Sequence, residues 1–126
     1  MRPFVLLYHT LSDNPHWDLC LDLGDGLATW RIGADPLATG PVPVPLPARR
    51  IADHRRAYLD YEGPVSGHNG RVRCVDRGTW RPVRQTPASW QVHLEGERLR
   101  GFFELPAGTD HGWMCDLGEA ADDAEL

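Results

Sequence analysis

Residues 16–32 have the sequence HWDLCLDLGDGLATWRI, and this stretch decides the fold. Polar and apolar side chains alternate through His16–Leu21, and a second run of strand length occupies Leu27–Ile32. Alternation with a period of two is typical of a strand that is buried on one face. The Gly-Asp-Gly sequence at 24–26 separates the two runs, and short glycine-rich loops commonly join antiparallel strands. The stretch therefore predicts a β-hairpin.

The same pattern continues on both sides of the hairpin. Further runs of strand length are separated by turn-forming residues, and no window carries a helix-length apolar stripe. The additional predicted strands are Arg2–His9, Gly70–Asp76, Ser89–Leu94 and Arg100–Leu105. We expect an all-β fold, namely a compact small β-barrel of short, mainly antiparallel strands.

Two segments between the predicted strands have a different character. Five prolines lie between Gly33 and Pro47, and they predict an extended connecting loop because proline cannot donate to a central ladder. Residues 51–61, IADHRRAYLDY, are compatible with either one helical turn or a loop.

Length and charge predict one domain with a tail. At 126 residues the chain has the size of a single domain. Residues 1–109 carry all 13 basic side chains, every one an arginine, against 12 of the 18 acidic ones, a balance of +1. The remaining six acids lie in the last 17 residues and produce the net charge of −5. We predict a barrel domain over 1–109 and an acidic, disordered tail over 110–126.

Composition also excludes several classes of protein. No run approaches the ~20 apolar residues of a membrane span, and the amino terminus lacks the pattern of a signal peptide. Cys20, Cys74 and Cys115 are an odd, widely spaced set without a Cys-x-x-Cys pair, which favours a reducing compartment over a disulfide framework. We expect a cytoplasmic protein without a membrane partner.

The predicted hairpin also carries the strongest chemical signal. Strand alternation places His16 and Asp18 on one face, opposite Trp17 and Leu19, and His9 ends the preceding strand. Two imidazoles and one carboxylate suit Mn²⁺, Fe²⁺ or Zn²⁺ and leave coordination positions open for water or substrate. The same residues are also compatible with a pair of hydrogen-bonding histidines beside a turn, and the spacing alone leaves this alternative open.

Six sequence blocks that extend from residue 4 to residue 105 carry a further signal. In chain order they are FVLLYH (4–9), HWDLCLD (16–22), DGLATW (25–30), ADHRRAYLDYEG (52–63), GRVRCVDRGTW (70–80) and LEGERLRGFFEL (94–105). In content and order they resemble the motifs of the bacterial ligase D 3′-phosphoesterase family. The chain looks like a divergent, stand-alone member of that family.

The resemblance implies a metal-dependent phosphoesterase of nucleic-acid 3′ ends. The family removes a 3′-phosphate or a terminal 3′-ribonucleoside in DNA end repair by non-homologous end joining. By position, His9, His16 and Asp18 match the metal ligands, with Mn²⁺ as the expected metal and Zn²⁺ as the alternative. His54 and Tyr58 match catalytic residues. The implied partners are 3′ ends of DNA, with or without a terminal ribonucleotide, and a repair ligase or polymerase acting in trans.

Several positions depart from the family pattern. Cys20 replaces an arginine that contacts phosphate, Leu7 replaces a glutamine, and Ala52 replaces an acid. Because a thiol cannot make the bidentate bonds of a guanidinium, this phosphate contact is lost unless another arginine compensates. The candidates by proximity to the motifs are Arg31, Arg49, Arg50 and Arg55, of which Arg50 and Arg55 are the predicted substrate-binding residues.

The substitutions keep other functions open. A Cys20 thiolate would bias the metal site toward Zn²⁺, whereas a buried, inert thiol would not. Loss of the arginine also favours a catalytically weak or inactive module that binds nucleic-acid ends or a repair partner. A third alternative is a metallo-hydrolase of another phosphoester.

Overall fold

The computed structural model describes residues 1–10, 15–38, 45–65 and 70–118, and almost all of its regular structure is β-strand. A single 3₁₀ turn at Arg56–Leu59 accompanies the strands in these residues. The nine strands, β1 to β9 in chain order, are Arg2–Thr10, His16–Asp22, Leu27–Ile32, Leu46–His54, Gly63–Pro64, Arg71–Gln85, Ser89–Gly96, Arg100–Pro106 and Gly112–Asp116.

Eight of the strands close into an antiparallel barrel. Their order around the wall is β1-β2-β3-β4-β9-β8-β7-β6, and β6 pairs with β1 to complete the ring. The two-residue strand β5 adds to β6 alongside the ring. The predicted all-β barrel is therefore confirmed, and so is the hairpin at its start, in which Leu23 N–H donates to the Gly26 carbonyl at 2.9 Å.

The long strand β6 closes the barrel because it pairs with β1 over its first part and with β7 over its second. The two pairings overlap over residues 78–80, and Gly78 lies opposite both Phe4 and Gly96. A Cβ atom at Gly78 would lie 2.0 Å from the Glu95 carbonyl oxygen, so only glycine fits there. Nearby, the buried Asp76 carboxylate accepts hydrogen bonds from the backbone N–H groups of residues 97–99, which fixes the β7–β8 turn.

The barrel interior is the main hydrophobic core. Alternate residues of each strand point inward, and the large side chains among them are fully buried. They include Phe4, Leu6, Leu19, Leu21, Trp30, Ile32, Leu94 and Leu105. Because each buried side chain of this size contributes about 1.5–3 kcal/mol of transfer free energy, this interior is the principal source of stability.

A second, smaller apolar cluster lies on the outside of the wall. It consists of Val5, Leu7, Cys20 and Leu27, which alternate with the inward residues of β1, β2 and β3. Tyr58 and Leu59 of the 3₁₀ turn pack against it. The turn is thus held over one outer face of the barrel, and this is the face on which His16 and Asp18 also lie.

Three sequence expectations need correction. The domain boundary at residue 109 is wrong, because β9 (Gly112–Asp116) pairs with both β4 and β8. The proline-rich connector ends earlier than predicted, since Pro47 lies within β4 opposite Trp113. Residues 51–54 continue β4 and are followed by the 3₁₀ turn, so the segment 51–61 is part strand and part turn. Residues 119–126 of the predicted tail and residues 39–44 of the predicted connector lie outside the described residues.

Within the described ranges, no helix has the length and apolar character needed to cross a membrane.

Candidate metal centre

The candidate metal ligands meet where β1 and β2 pair at the end of the first hairpin. His9 lies directly opposite His16 in the register of these strands, and Asp18 follows two residues later on the same face of β2. Leu19 and Leu21, which alternate with them, are fully buried in the barrel interior. The predicted division of β2 into a core face and a ligand face is therefore present in the structure.

The ligand atoms are close enough to bind one ion. His9 Nδ1 lies 3.1 Å from His16 Nε2, and the two rings lie 4.0 Å and 3.5 Å from the Asp18 carboxylate oxygens. All three ligand atoms fall within 4.8 Å of one another. His16 and Asp18 are almost fully buried, at 2% and 1% exposure. Ligand atoms this close together have the spacing of a coordination site, and the burial of His16 and Asp18 shields them from solvent.

The surroundings of the Asp18 carboxyl favour its ionised form. Burial acts to raise the pKa of its carboxyl, but the neighbouring His16 and His54 rings outweigh burial and hold the pKa well below its usual range. Asp18 Oδ1 is buried and, within the described residues, accepts no hydrogen bond. An ionised carboxylate with an unused buried oxygen beside two imidazoles fits a divalent cation of the Mn²⁺ or Zn²⁺ type. The nature of the ion stays a prediction.

His54 and Tyr58 lie beside this cluster. His54 ends β4, and its Nε2 is 3.3 Å from Asp18 Oδ2. Because an ionised carboxylate can only accept, the Nε2 of His54 carries the proton in this contact. The Tyr58 ring packs 5.4 Å from the His54 ring, centroid to centroid, and is held by the outer apolar cluster. The structure thus brings together all five residues that the sequence assigned to metal binding and catalysis.

Arg31 is the arginine that the structure adds to the site. It lies opposite Asp18 in the β2–β3 register, and its Nε is 3.9 Å from Asp18 Oδ1. This Nε is buried and has no hydrogen-bond partner among the described residues. In the sequence Arg31 is one of several candidates, although a two-residue turn at Gly24 and Asp25 pairs it with Asp18.

The two predicted substrate-binding arginines have different surroundings. Arg50 pairs with Trp30 in the β3–β4 register, and its guanidinium carbon lies 4.9 Å and 4.8 Å from the Trp30 and Trp90 ring centroids. It therefore lies on the inward side of the wall, opposite to the ligand face. Arg55 is exposed directly after His54, and its carbonyl accepts the Tyr58 N–H of the 3₁₀ turn. A substrate role for either arginine stays a prediction.

Cys20 lies in the outer apolar cluster below the candidate site. It is fully buried with Val5, Leu7 and Leu27, and its sulfur lies 3.8 Å from the Thr29 hydroxyl. Burial raises the pKa of the Cys20 thiol far above its ordinary value. Its thiol is not one of the grouped candidate ligands found among the described residues. The structure therefore favours the inert thiol over the zinc-ligand alternative.

Fold and site together define a closed antiparallel β-barrel with a candidate divalent-metal centre of two histidines and one aspartate on its outer wall. The sequence profile of the DNA ligase D 3′-phosphoesterase domain matches residues 8–106. The match covers more than half of the chain, and the chain belongs to this family of phosphoesterases. No curated protein matches the chain.

Proposed function

We propose that the chain is a metal-dependent phosphoesterase that removes a 3′-phosphate or a terminal 3′-ribonucleoside from nucleic-acid ends in DNA end repair. The observation that carries the proposal is the convergence of His9, His16 and Asp18 within 4.8 Å, with His54 in contact with the same carboxylate. The family of the chain supports the reaction class. The expected place of action is the cytoplasm, with a ligase or polymerase acting in trans on the healed end.

His9, His16 and Asp18 would hold the ion, with Mn²⁺ as the expected metal and Zn²⁺ as the alternative. When bound, a divalent ion supplies Lewis-acid polarisation of a phosphoryl oxygen and orients water for attack. The protein contributes a site whose inner side is closed by the barrel wall, because the residues that alternate with the ligands are packed in the core.

The side chains around the ligands supply the remaining groups for phosphoester hydrolysis. His54 holds a proton at Nε2 beside Asp18, so it can donate to a phosphate oxygen or protonate the leaving 3′ oxygen. Tyr58 packs against the His54 ring and restricts its orientation. Arg31 presents an unsatisfied guanidinium Nε at the ligand face, which suits it to replace the family's phosphate-binding arginine.

A second candidate function is a catalytically weak or inactive module that binds nucleic-acid ends or a repair partner. The observation that favours it is that the outer apolar cluster adjoins the candidate ligands. Leu7 lies directly opposite Asp18, and Cys20 is buried where the family pattern has an arginine, so neither position offers a charged donor to phosphate. Metal ligands that lack hydrogen-bonding support are oriented less firmly.

The test is turnover of two 5′-labelled primers, one ending in a 3′-phosphate and one in a single 3′-ribonucleotide. Each is incubated with Mn²⁺, Zn²⁺ or chelator and with wild type, Asp18→Asn or Asp25→Asn. Asp25 is a matched control because it is an exposed aspartate in the hairpin turn. A small aryl phosphate is assayed in parallel.

The proposal expects product with a metal and none with chelator. Asp18→Asn should lower turnover by more than the roughly 100-fold that loss of a ligand's supporting partner costs, whereas Asp25→Asn should match wild type. Folded protein that binds the primers but gives no product with either metal would support the binding module. Preference for the aryl phosphate over both primers would redirect the proposal to another phosphoester.

A further inference from the structure

A basic and aromatic groove adjoins the candidate metal centre on the outer wall. It has a volume of about 340 Å³, and its lining includes Arg31, Pro47, Arg49, His111 and Trp113. Arg31 belongs to both places, because its Nε lies 3.9 Å from Asp18 Oδ1. The groove and the candidate site are therefore neighbours that share Arg31.

Strand register places the groove residues on the ligand face. Asp18 of β2 lies opposite Arg31 of β3, and Arg31 lies opposite Arg49 of β4. Two residues before Arg49, Pro47 lies opposite Trp113 of β9. Since neighbouring strands are about 4.8 Å apart, the path from β2 to β9 spans roughly 14 Å along the wall.

The two arginines of the groove are only partly neutralised by the carboxylates of the described residues. Two arginines directly opposite each other on neighbouring strands repel and destabilise the sheet. No carboxylate of the described residues forms an ion pair with Arg49. Arg31 has one at Asp18, but the 3.9 Å between Nε and Oδ1 is too long for a hydrogen bond, and the buried Nε has no hydrogen-bond partner among these residues. A polyanion would compensate both charges.

Trp113 adds an unusual exposed surface at the far end of the groove. Its side chain is 56% exposed, although Met114 beside it is buried in the core. Indole rings that are open to solvent beside arginines are the stacking platforms of proteins that bind single-stranded nucleic acid. An acidic peptide would use the charges but would not need the flat aromatic face.

We propose that this groove binds the single-stranded segment of nucleic acid that leads to the 3′ end held at the metal centre. Arg31 binds the phosphate at the metal centre, Arg49 binds the next backbone phosphate of the strand, and Trp113 stacks on a base. The inference rests on the proposed function, which places a 3′ terminus at His9, His16 and Asp18, and it assigns the strand's path across β3, β4 and β9.

The test measures binding without turnover. The affinity of a 5′-labelled oligonucleotide with a 3′-hydroxyl end is followed by fluorescence anisotropy in chelator, at several salt concentrations. The variants are Trp113→Ala, Trp113→Phe and Arg49→Gln. Arg84→Gln is the matched control, because Arg84 is an exposed arginine of β6 that does not line the groove.

Trp113→Ala should weaken binding by about 5- to 150-fold, the range found for loss of one stacked base, and Trp113→Phe should retain most of the affinity. Arg49→Gln should weaken binding about tenfold and reduce the salt slope by about 0.7. Arg84→Gln should bind like wild type.

The inference is overturned if Trp113→Ala and Arg49→Gln, both with wild-type circular dichroism, bind the oligonucleotide as tightly as wild type. It is also overturned if Arg84→Gln weakens binding as much as Arg49→Gln, because binding would then follow overall charge. Because the assay uses no metal and no cleavable end, its result does not depend on whether the protein is a phosphoesterase.

Discussion

Asp18 is the side chain around which the candidate site is organised. Three histidines approach its carboxylate, His54 at 3.3 Å, His16 at 3.5 Å and His9 at 4.0 Å. Their positions give them different roles, because His9 and His16 converge with Asp18 as ligands, whereas His54 comes from β4, lies outside this group of three and contacts the Asp18 carboxylate. Metal binding and proton transfer should therefore be separable by mutation.

We predict that His54→Ala lowers turnover by about 10²–10⁴-fold and leaves Mn²⁺ affinity close to wild type, because it removes a proton donor and not a ligand. His9→Ala should lose both turnover and Mn²⁺ affinity, because it removes a candidate ligand. Calorimetric Mn²⁺ titration and single-turnover kinetics on the same preparations measure the two properties. If His54→Ala lost Mn²⁺ binding as fully as His9→Ala, the division of roles would be wrong.

Cys20 supports a second prediction at the residue scale. The thiol is fully buried in the outer apolar cluster, so an arginine there would carry its charge into Val5, Leu7 and Leu27. Cys20→Arg should lower the free energy of unfolding by roughly 3 kcal/mol, and Cys20→Ala should cost less. Urea unfolding measures both. A stably folded Cys20→Arg protein with higher turnover would show instead that the lost phosphate contact can be restored at this position.

The 3₁₀ turn is the element that covers the outer apolar cluster beside the site. Its first residue, Arg56, donates from Nε and Nη2 to the buried Asp22 carboxylate at the end of β2, at 2.9 Å and 3.2 Å. Tyr58 and Leu59 then reach the outer apolar cluster. This ion pair and this packing position the Tyr58 ring against His54.

The Asp22 carboxylate makes the anchoring of this turn dependent on pH. Burial acts to raise its pKa, but hydrogen bonds from Arg56 and the Gly24 N–H outweigh burial and lower the pKa below its ordinary value. A depressed folded-state pKa stabilises the fold above the unfolded pKa of about 3.9, and this contribution is lost as pH falls through the folded-state pKa.

We therefore expect Asp22→Asn to be less stable than wild type at pH 7, with a difference that shrinks toward pH 3. Urea unfolding of both proteins at the two pH values tests this, with Asp25→Asn as the control. A difference that stays constant or grows toward pH 3 would mean that the charge on Asp22 does not contribute.

The elements differ in how far the sequence could predict them. β2 and β3 could be predicted because alternation, turn residues and register all lie within one short stretch. β4 and β9 were missed because Pro47 argued against a strand and the residues around Gly112–Asp116 looked like the start of an acidic tail. β4 and β9 pair with each other across a long separation in the chain, and local patterns do not identify such distant partners.

At the scale of the molecule, the core residues that stabilise the fold and the candidate metal ligands lie on opposite faces of the barrel wall. The main core fills the interior, whereas His9, His16 and Asp18 lie on the outer face with Val5, Leu7 and Cys20. The sequence could assign residues to the two faces through alternation. It could not show that β6 closes onto β1 or that His54 reaches Asp18, because both contacts join residues far apart in the chain.

This separation predicts that removal of metal does not unfold the protein. Chelator should leave far-ultraviolet circular dichroism unchanged and lower the free energy of unfolding only through loss of binding, by about 2.7 kcal/mol at a metal concentration of 100 times Kd. Trp30→Ala, which opens the barrel core, should cost about 3–5 kcal/mol with or without metal. Unfolding by chelator alone would indicate a structural metal site instead.

The most direct test of the central claim is the position of Mn²⁺ in crystals of the protein, found from its anomalous scattering. The account predicts an anomalous peak within coordination distance of His9, His16 and Asp18, on the outer wall beside His54, and its loss in Asp18→Asn. Ordered Mn²⁺ elsewhere with no peak at these three residues would contradict the metal centre and, with it, the proposed reaction.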